Sequence, residues 1–160
     1  MTFDTLEFRR AMGQFVTGVT VVTTIVDGKP TGFTANAFSS VSLDPPLALV
    51  CIGKKNTSLK AIQTSGIFAV NVMAKTQKDL AACFASSSPE KYTQFCAAEY
   101  SSKITGAPII HDCIAWFDCN LHSLINSGDH FIVIGEVVDF GTNPGIPLIF
   151  ARGKYSSLRK

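Results

Sequence analysis

The sequence predicts a mainly-β fold, an antiparallel barrel with a few short helices outside it. Three observations carry that reading. Runs rich in β-branched and aromatic residues follow one another with turn signals, not long helical patterns, between them. Hydrophobic side chains make up 46% of the 160 residues and charged ones only 16%, which supplies a proper core and excludes a disordered chain. No repeat, linker or charge block interrupts residues 1–160, so the chain reads as one domain.

Residues 5–15 place Phe8, Met12 and Phe15 at helical spacing behind Asp4 or Thr5 as a cap, which predicts a short amphipathic helix. Gly18–Val26 is rich in β-branched residues and runs into Asp27-Gly28, a strong hairpin signal, so a return strand is expected over about Thr31–Ala35. A polar stretch then leads through Val41-Ser42-Leu43 to Asp44-Pro45-Pro46, a turn or an extended corner. Leu47–Ile52 reads as a buried strand, Ser58–Thr64 as a short helix closed by Gly66, and Ile67–Val72 as the next strand. Thr76-Gln77-Lys78-Asp79 has the form of a capping box before a helix that turns Leu80, Cys83 and Phe84 inward. Two long strands, Ile114–Leu124 and Phe131–Phe140, flank Asn126-Ser127-Gly128-Asp129, and Leu148–Ala151 supplies the last strand.

The formal net charge is +2, too small a field to recruit nucleic acid or an anionic membrane. No apolar run approaches the ~18 residues that span a bilayer. The opening Met1-Thr2-Phe3-Asp4 reaches Arg9-Arg10 with no apolar segment of the kind a secretory signal needs, so a cytoplasmic protein is expected. The low charge also leaves apolar surface to spare, and a homodimer interface would absorb it. Five cysteines without a secretory context read as free thiols. His111, Cys113, Cys119 and His122 are close in sequence, but no C-x-x-C accompanies them. On a strand, moreover, Cys119 and His122 would point to opposite faces, so no metal is expected. The glycine-rich dinucleotide and nucleotide motifs, G-x-S-x-G and H-E-x-x-H do not occur.

Four segments could carry chemistry. Lys54-Lys55-Asn56-Thr57-Ser58 brings two ammonium groups, two hydroxyls and an amide to a helix start, where free N–H groups already favour a phosphate; Thr57 as a plain cap beside solvated lysines fits the same pattern. Gly32–Ser42 is small and polar with two aromatics, able to line a flat heteroaromatic ring or to form an ordinary surface loop. Gly128-Asp129-His130 offers an imidazole at a strand mouth, either as a ligand contact or as a structural cap. Arg152-Gly153-Lys154-Tyr155 is a basic, aromatic tail that could close over a site or serve solubility. No Ser–His–Asp order or paired-carboxylate arrangement stands out, which suits an enzyme whose cofactor does the chemistry.

Taken together, these residues resemble the flavin reductase family, the small NAD(P)H:flavin oxidoreductases that feed two-component monooxygenases. The likeness rests on Phe15–Thr24, Gly32–Ser42 followed by Leu43-Asp44-Pro45-Pro46-Leu47, Asn56-Thr57-Ser58, Gly66–Val72, Gly128-Asp129-His130 and Arg152–Tyr155, in order over nearly the whole length. The resemblance implies a split β-barrel with a Greek-key core, a homodimer, FMN or FAD near its interface, and NADH or NADPH as electron donor. It implies that Thr34, Ala35, Asn36, Ala37 and Phe38, with Ser40, Val41 and Ser42, line the isoalloxazine and ribityl chain. Cys51, Lys55, Asn56, Thr57 and Ser58 would reach the phosphate end, and Lys91 and Tyr92 would approach the flavin. His130, Arg152, Gly153, Lys154 and Tyr155 would meet the nicotinamide cofactor, with His130 as the catalytic contact. Ala37 stands where many members carry serine, which would remove one hydrogen bond to the flavin. The implied partner is a monooxygenase acting on an aromatic compound. An oxidase similar to the pyridoxamine phosphate oxidases, or a non-catalytic FMN-binding sensor or carrier, are the alternatives.

Overall fold

A computed structural model describes residues 3–158; Met1 and Thr2, the first residues of the opening read for a signal, lie outside the described residues. The β-branched run after Gly18 forms β2 (Thr20–Val26), whose first five residues are all buried. A strand buried on both faces needs a core on each side, and successive side chains of β2 serve two of them. Val22 joins Phe33, Val50, Ile52, Phe68 and Val133 in one cluster, while Val21 joins Val19, Met73, Phe84, Phe95 and Leu148 in the other. Asp27 and Gly28 both take positive φ, the conformation a two-residue hairpin demands, and return the chain as β3 (Lys29–Ala35).

The remaining elements are α1 (Thr5–Met12), β1 (Thr17–Gly18), β4 (Phe38–Leu43), β5 (Pro46–Gly53), α2 (Thr57–Ser65), β6 (Ile67–Val72), α3 (Lys78–Ala85), α4 (Pro89–Thr93), β7 (Tyr100–Ser102), β8 (Pro108–Ile110), β9 (Ala115–Ser127), β10 (His130–Thr142), β11 (Leu148–Ala151) and β12 (Lys154–Ser157). Seven strands form an antiparallel sheet in the order β3-β2-β6-β9-β10-β5-β4. Its two edges, β3 and β4, are neighbours in sequence with only Asn36-Ala37 between them. Three Cα steps reach about 11 Å at most, so the sheet must curl until its edges meet at this corner. There Cys51 N donates to Ala37 O at 3.0 Å. Among the described residues no ladder joins β3 to β4, and the result is a barrel split along one seam.

Asn71, fully buried on β6, ties the small β7–β8 hairpin to this sheet. Its Nδ2 donates to Val21 O (3.0 Å) and to Thr23 Oγ1 (3.1 Å), and its Oδ1 accepts from Ile110 N (2.8 Å). Asn71→Ala strands the Ile110 N–H and the Val21 carbonyl away from water, so a stability loss of about 2–3 kcal/mol is expected. In urea unfolding this reads as a lower midpoint at an unchanged slope.

Several sequence expectations need correction. The first helix stops at Met12 instead of residue 15, because Gly13 O accepts from Arg152 N and draws the chain toward the C-terminal hairpin; no residue of α1 is buried. The return strand ends at Ala35 as expected, but the polar stretch after it is not a loop: only Asn36-Ala37 link β3 to β4, since ladder pairing of Phe38–Leu43 to β5 outweighs its polar composition. Residues Arg152–Tyr155 are not a tail: Arg152 and Gly153, both at positive φ, turn β11 into β12. The box at Thr76 is replaced by a 3-10 turn over Lys75–Gln77, in which Gln77 Oε1 accepts from Ala74 N at 3.1 Å. Asn56, not Thr57, caps α2, its Oδ1 accepting from Ser58 N at 2.9 Å. Finally, the cysteines are not all free. Cys83 and Cys96 form a disulfide with their Cα atoms 6.0 Å apart, because α3 and the 3-10 turn over Phe95–Ala97 bring them side by side. Cys51, Cys113 and Cys119 are thiols, and burial pushes the last two up to about 11 and about 12.

Candidate active site

Where the sheet edges meet, a cleft of about 200 Å³ opens between Phe33–Ala37, Cys51–Gly53, Asn56 and His130. Each wall follows from the topology. The corner supplies Thr34, Ala35, Asn36 and Ala37; the end of β5 supplies Cys51, Ile52 and Gly53; the cap of α2 supplies Asn56. His130 stands opposite Gly53 in the β10–β5 register, which sets the imidazole beside a residue without a side chain. A Cβ on Gly53 would lie 3.7 Å from His130 Nε2, so the glycine keeps the space beside that nitrogen open.

His130 is oriented by its neighbour. Its Nδ1 lies 2.6 Å from Asp129 Oδ1, and Asp129 O accepts from Lys54 N at 3.0 Å, which pins the β9–β10 turn to the end of β5. The hydrogen bond and charge of His130 hold the Asp129 carboxyl below its usual range, so it remains an anion on the imidazole. With Nδ1 engaged by a carboxylate, Nε2 is the nitrogen left for the cleft. The outer shoulder is positive: Lys54 lies over the Phe131 ring at 5.6 Å, and Lys55 and Thr57 are exposed at the start of α2.

The structure brings Thr34, Ala35, Asn36, Ala37, Cys51, Asn56 and His130 together, with Lys55 and Thr57 on the shoulder. Two hydroxyls are engaged elsewhere: Thr34 Oγ1 donates to Ala81 O (2.6 Å), and Ser58 Oγ pairs with Thr31 Oγ1 (3.3 Å). Phe38 turns into the core against Phe117, and Ser40, Val41 and Ser42 run on along β4 through a register shift. Lys91, Tyr92, Arg152, Gly153, Lys154 and Tyr155 do not line the cleft. Lys91 is buried with its Nζ donating to Ser86 O (3.3 Å) and lying over the Tyr92 ring; Arg152 Nε donates to Gln14 Oε1 (2.9 Å); Tyr155 packs on Phe150, where burial raises its hydroxyl. Phe33 and Asp129 belong to segments picked out by the sequence without a role of their own, and Ile52 and Gly53 carry no signal of a site in it. Asp129 was adjacent to His130 in a turn motif, whereas Gly53 is revealed only by strand register.

A larger open cleft of about 910 Å³ lies between Ala74–Thr76, the β7–β8 hairpin and Asn143–Ile146, and shares no lining residue with the first. Of the residues weighed for chemistry only His111 lines it, 3.7 Å from Glu99. The smaller cleft is the candidate site because three segments far apart in sequence, each suited to a polar ligand, converge there. Ligand pockets commonly enclose ~300–1,000 Å³. The smaller cleft therefore suits one end of a flat ligand, with an anionic remainder along the basic shoulder at the α2 N-terminus.

The sequence pattern of the flavin reductase like domain matches residues 12–159. A protein named "Probable flavin reductase" from Rhizobium meliloti is 44% identical over 158 residues, covering 98% of this chain; the chain spans only 50% of that relative's length. The reductase subunit HsaB of a flavin-dependent monooxygenase from Mycobacterium tuberculosis is 41% identical over 158 residues, 97% of this chain and 83% of its own. The solved structure of the NADH:FAD oxidoreductase SgcE6 of Streptomyces globisporus, in complex with NAD and FAD fragments, matches with a TM-score of 0.90 at 35% identity, covering 98% of this chain and 93% of that one. With the split barrel and its corner cleft, these likenesses establish that the chain belongs to the flavin reductase family.

Proposed function

We propose that this chain is the reductase component of a two-component flavin monooxygenase, passing a hydride from NADH or NADPH to FMN or FAD. The single observation that carries the reading is the convergence of the Asn36-Ala37 corner, the side-chain-free Gly53 and the Asp129-held His130 on one cleft. The fit is physical: the cleft accepts a flat ring end-on and the exposed Lys55 and Thr57 shoulder suits a phosphate. When bound, the flavin supplies a two-electron acceptor for the hydride. The chain's own residues position and exclude. Thr34–Ala37 and Cys51 flank the ring, Asn56 and Lys55 orient the anionic tail, and His130 offers Nε2 to the nicotinamide side.

A cleft of this size covers only part of such a ligand, and Leu43 and Phe140 are 94% and 68% exposed. Both facts support a homodimer whose second copy completes the site's cover. The protein would work in the cytoplasm beside a monooxygenase that consumes the reduced flavin; among the described residues no helix is long and apolar enough to cross a membrane.

The test follows NADH absorbance under air with and without added FMN or FAD. Oxidation that rises steeply and saturably with flavin is the expected result, and flavin binding without NADH oxidation overturns the reading. Within it, Gly53→Val fills the space beside His130 Nε2. A flavin affinity about tenfold weaker at unchanged thermal stability is expected by fluorescence titration, the cost of blocking a preformed cleft.

A further inference from the structure

The Cys83–Cys96 disulfide closes a loop that rests on the strand leading into the cleft. Cys83 belongs to α3, which touches β3 through the Thr34 hydroxyl on Ala81 O (2.6 Å). Cys96 belongs to a turn in which Phe95, Cys96 and Ala97 all take positive φ, at 50°, 53° and 54°. Side-chain-bearing residues adopt three such conformations in a row only where their surroundings force them. Two ties do so here: the Phe95 ring, set edge-on against Phe84 (5.0 Å) and Tyr100 (5.3 Å), and the disulfide itself. Both sulfur-bearing residues are partly exposed, as is Cys51 in the cleft, whereas Cys113 and Cys119 are fully buried; of the three accessible sulfurs only those of Cys83 and Cys96 stand side by side, so these two can be oxidised to a disulfide within one chain.

We propose that Cys83 and Cys96 are a peroxide-oxidised dithiol whose disulfide locks residues 86–97 over β3, so that the oxidised protein holds flavin more tightly than the reduced one. The chemistry balances with hydrogen peroxide as oxidant. One thiolate attacks a peroxide oxygen, giving a sulfenic acid and hydroxide; the second thiol displaces water from it and forms the S–S bond. In total, two thiols and one peroxide become one disulfide and two waters. A low-molecular-weight dithiol reverses the step by exchange. The link to flavin, and reduced flavin meeting oxygen as a source of peroxide, rest on the proposed reductase function; the lock does not.

The full chain is reduced, freed of reductant, and divided into untreated and peroxide-treated samples. Alkylation and mass spectrometry should count five thiols before treatment and three after, with a Cys83–Cys96 cross-linked peptide in the treated sample. Amide exchange over 86–97 should slow about tenfold on oxidation while β10 is unchanged. FMN titration should show about fivefold tighter binding. Cys83→Ser should abolish all three responses, and the reduced wild type gives the same comparison if that variant folds poorly. Five thiols surviving peroxide, a different pairing, or equal exchange in the two forms overturns the lock. Equal FMN affinity in two forms that differ in exchange overturns its coupling to the site. Flavin binding by neither form overturns the reductase reading instead, and the thiol count and exchange still decide the lock.

Discussion

His130→Ala is expected to slow NADH-driven flavin reduction about a hundredfold while flavin affinity changes less than about threefold. The magnitude is that of deleting one oriented polar contact where charge moves in the transition state. The split between rate and affinity follows from position. His130 forms one wall of the cleft at the start of β10, and the corner and the α2 cap supply the other polar contacts. Asp129 stiffens the imidazole from one side and Gly53 leaves the space beside Nε2 free. His130→Gln, which keeps an amide donor at similar reach, should recover part of the lost rate. Asp129→Asn should cost less than His130→Ala, since a neutral acceptor can still hold Nδ1. It should also alter the pH profile. The lowered Asp129 pKa keeps the wild-type carboxylate charged down to and below its ordinary value near 3.8, so an anionic acceptor faces the imidazole above that range and is lost only as pH falls through it. Stopped-flow absorbance with saturating flavin separates these terms. Hydride transfer within twofold of wild type in His130→Ala would remove His130 from the nicotinamide side.

The parts of the fold that were legible are those where local chemistry and tertiary demand agree. Gly18–Val26 was clear because its β-branched run ends in Asp27-Gly28, and the hairpin needs positive φ at both turn residues. Ile67–Val72 and Leu148–Ala151 came out with their observed boundaries. The stretch after Ala35 misled because serine and asparagine favour loops locally, while β5 offered a ladder that only the assembled sheet reveals. Helix α4 carried a readable cap in Ser88-Pro89-Glu90, but five residues give no period to detect. The Cys83–Cys96 pairing depends on how α3, α4 and a left-handed turn stack, which no spacing encodes. In the site, polar clusters pointed to Thr34–Ala37, Asn56 and His130. Gly53 acquires its meaning from standing opposite His130, a relation between strands 77 residues apart.

Gly135→Val should be the most damaging single change in the barrel, costing about 4 kcal/mol and lowering Tm by about 10–15 °C. Gly135 lies at a register shift on β10, facing the core cluster that holds Phe68 and Cys119. A Cβ there would stand 2.4 Å from Phe68 Cζ, 2.8 Å from Phe68 Cε1 and 2.9 Å from Cys119 Cβ. Neither neighbour can give way cheaply: Phe68 is 1% exposed and packed on all sides, and Cys119 is wholly buried beside it. The missing side chain is therefore what lets the Phe68 ring cross under β10. Gly18 is the control, since nothing lies within 4 Å of its Cβ position, and Gly18→Val should change stability by less than about 0.5 kcal/mol. A double-mutant cycle then isolates the cause. Phe68→Leu alone opens a cavity and destabilises, but combined with Gly135→Val it removes the obstruction, so the pair should lose at least about 1 kcal/mol less than the sum of the singles. Additive losses in thermal and urea unfolding would mean that backbone geometry at the bulge, and not the Phe68 ring, demands the glycine.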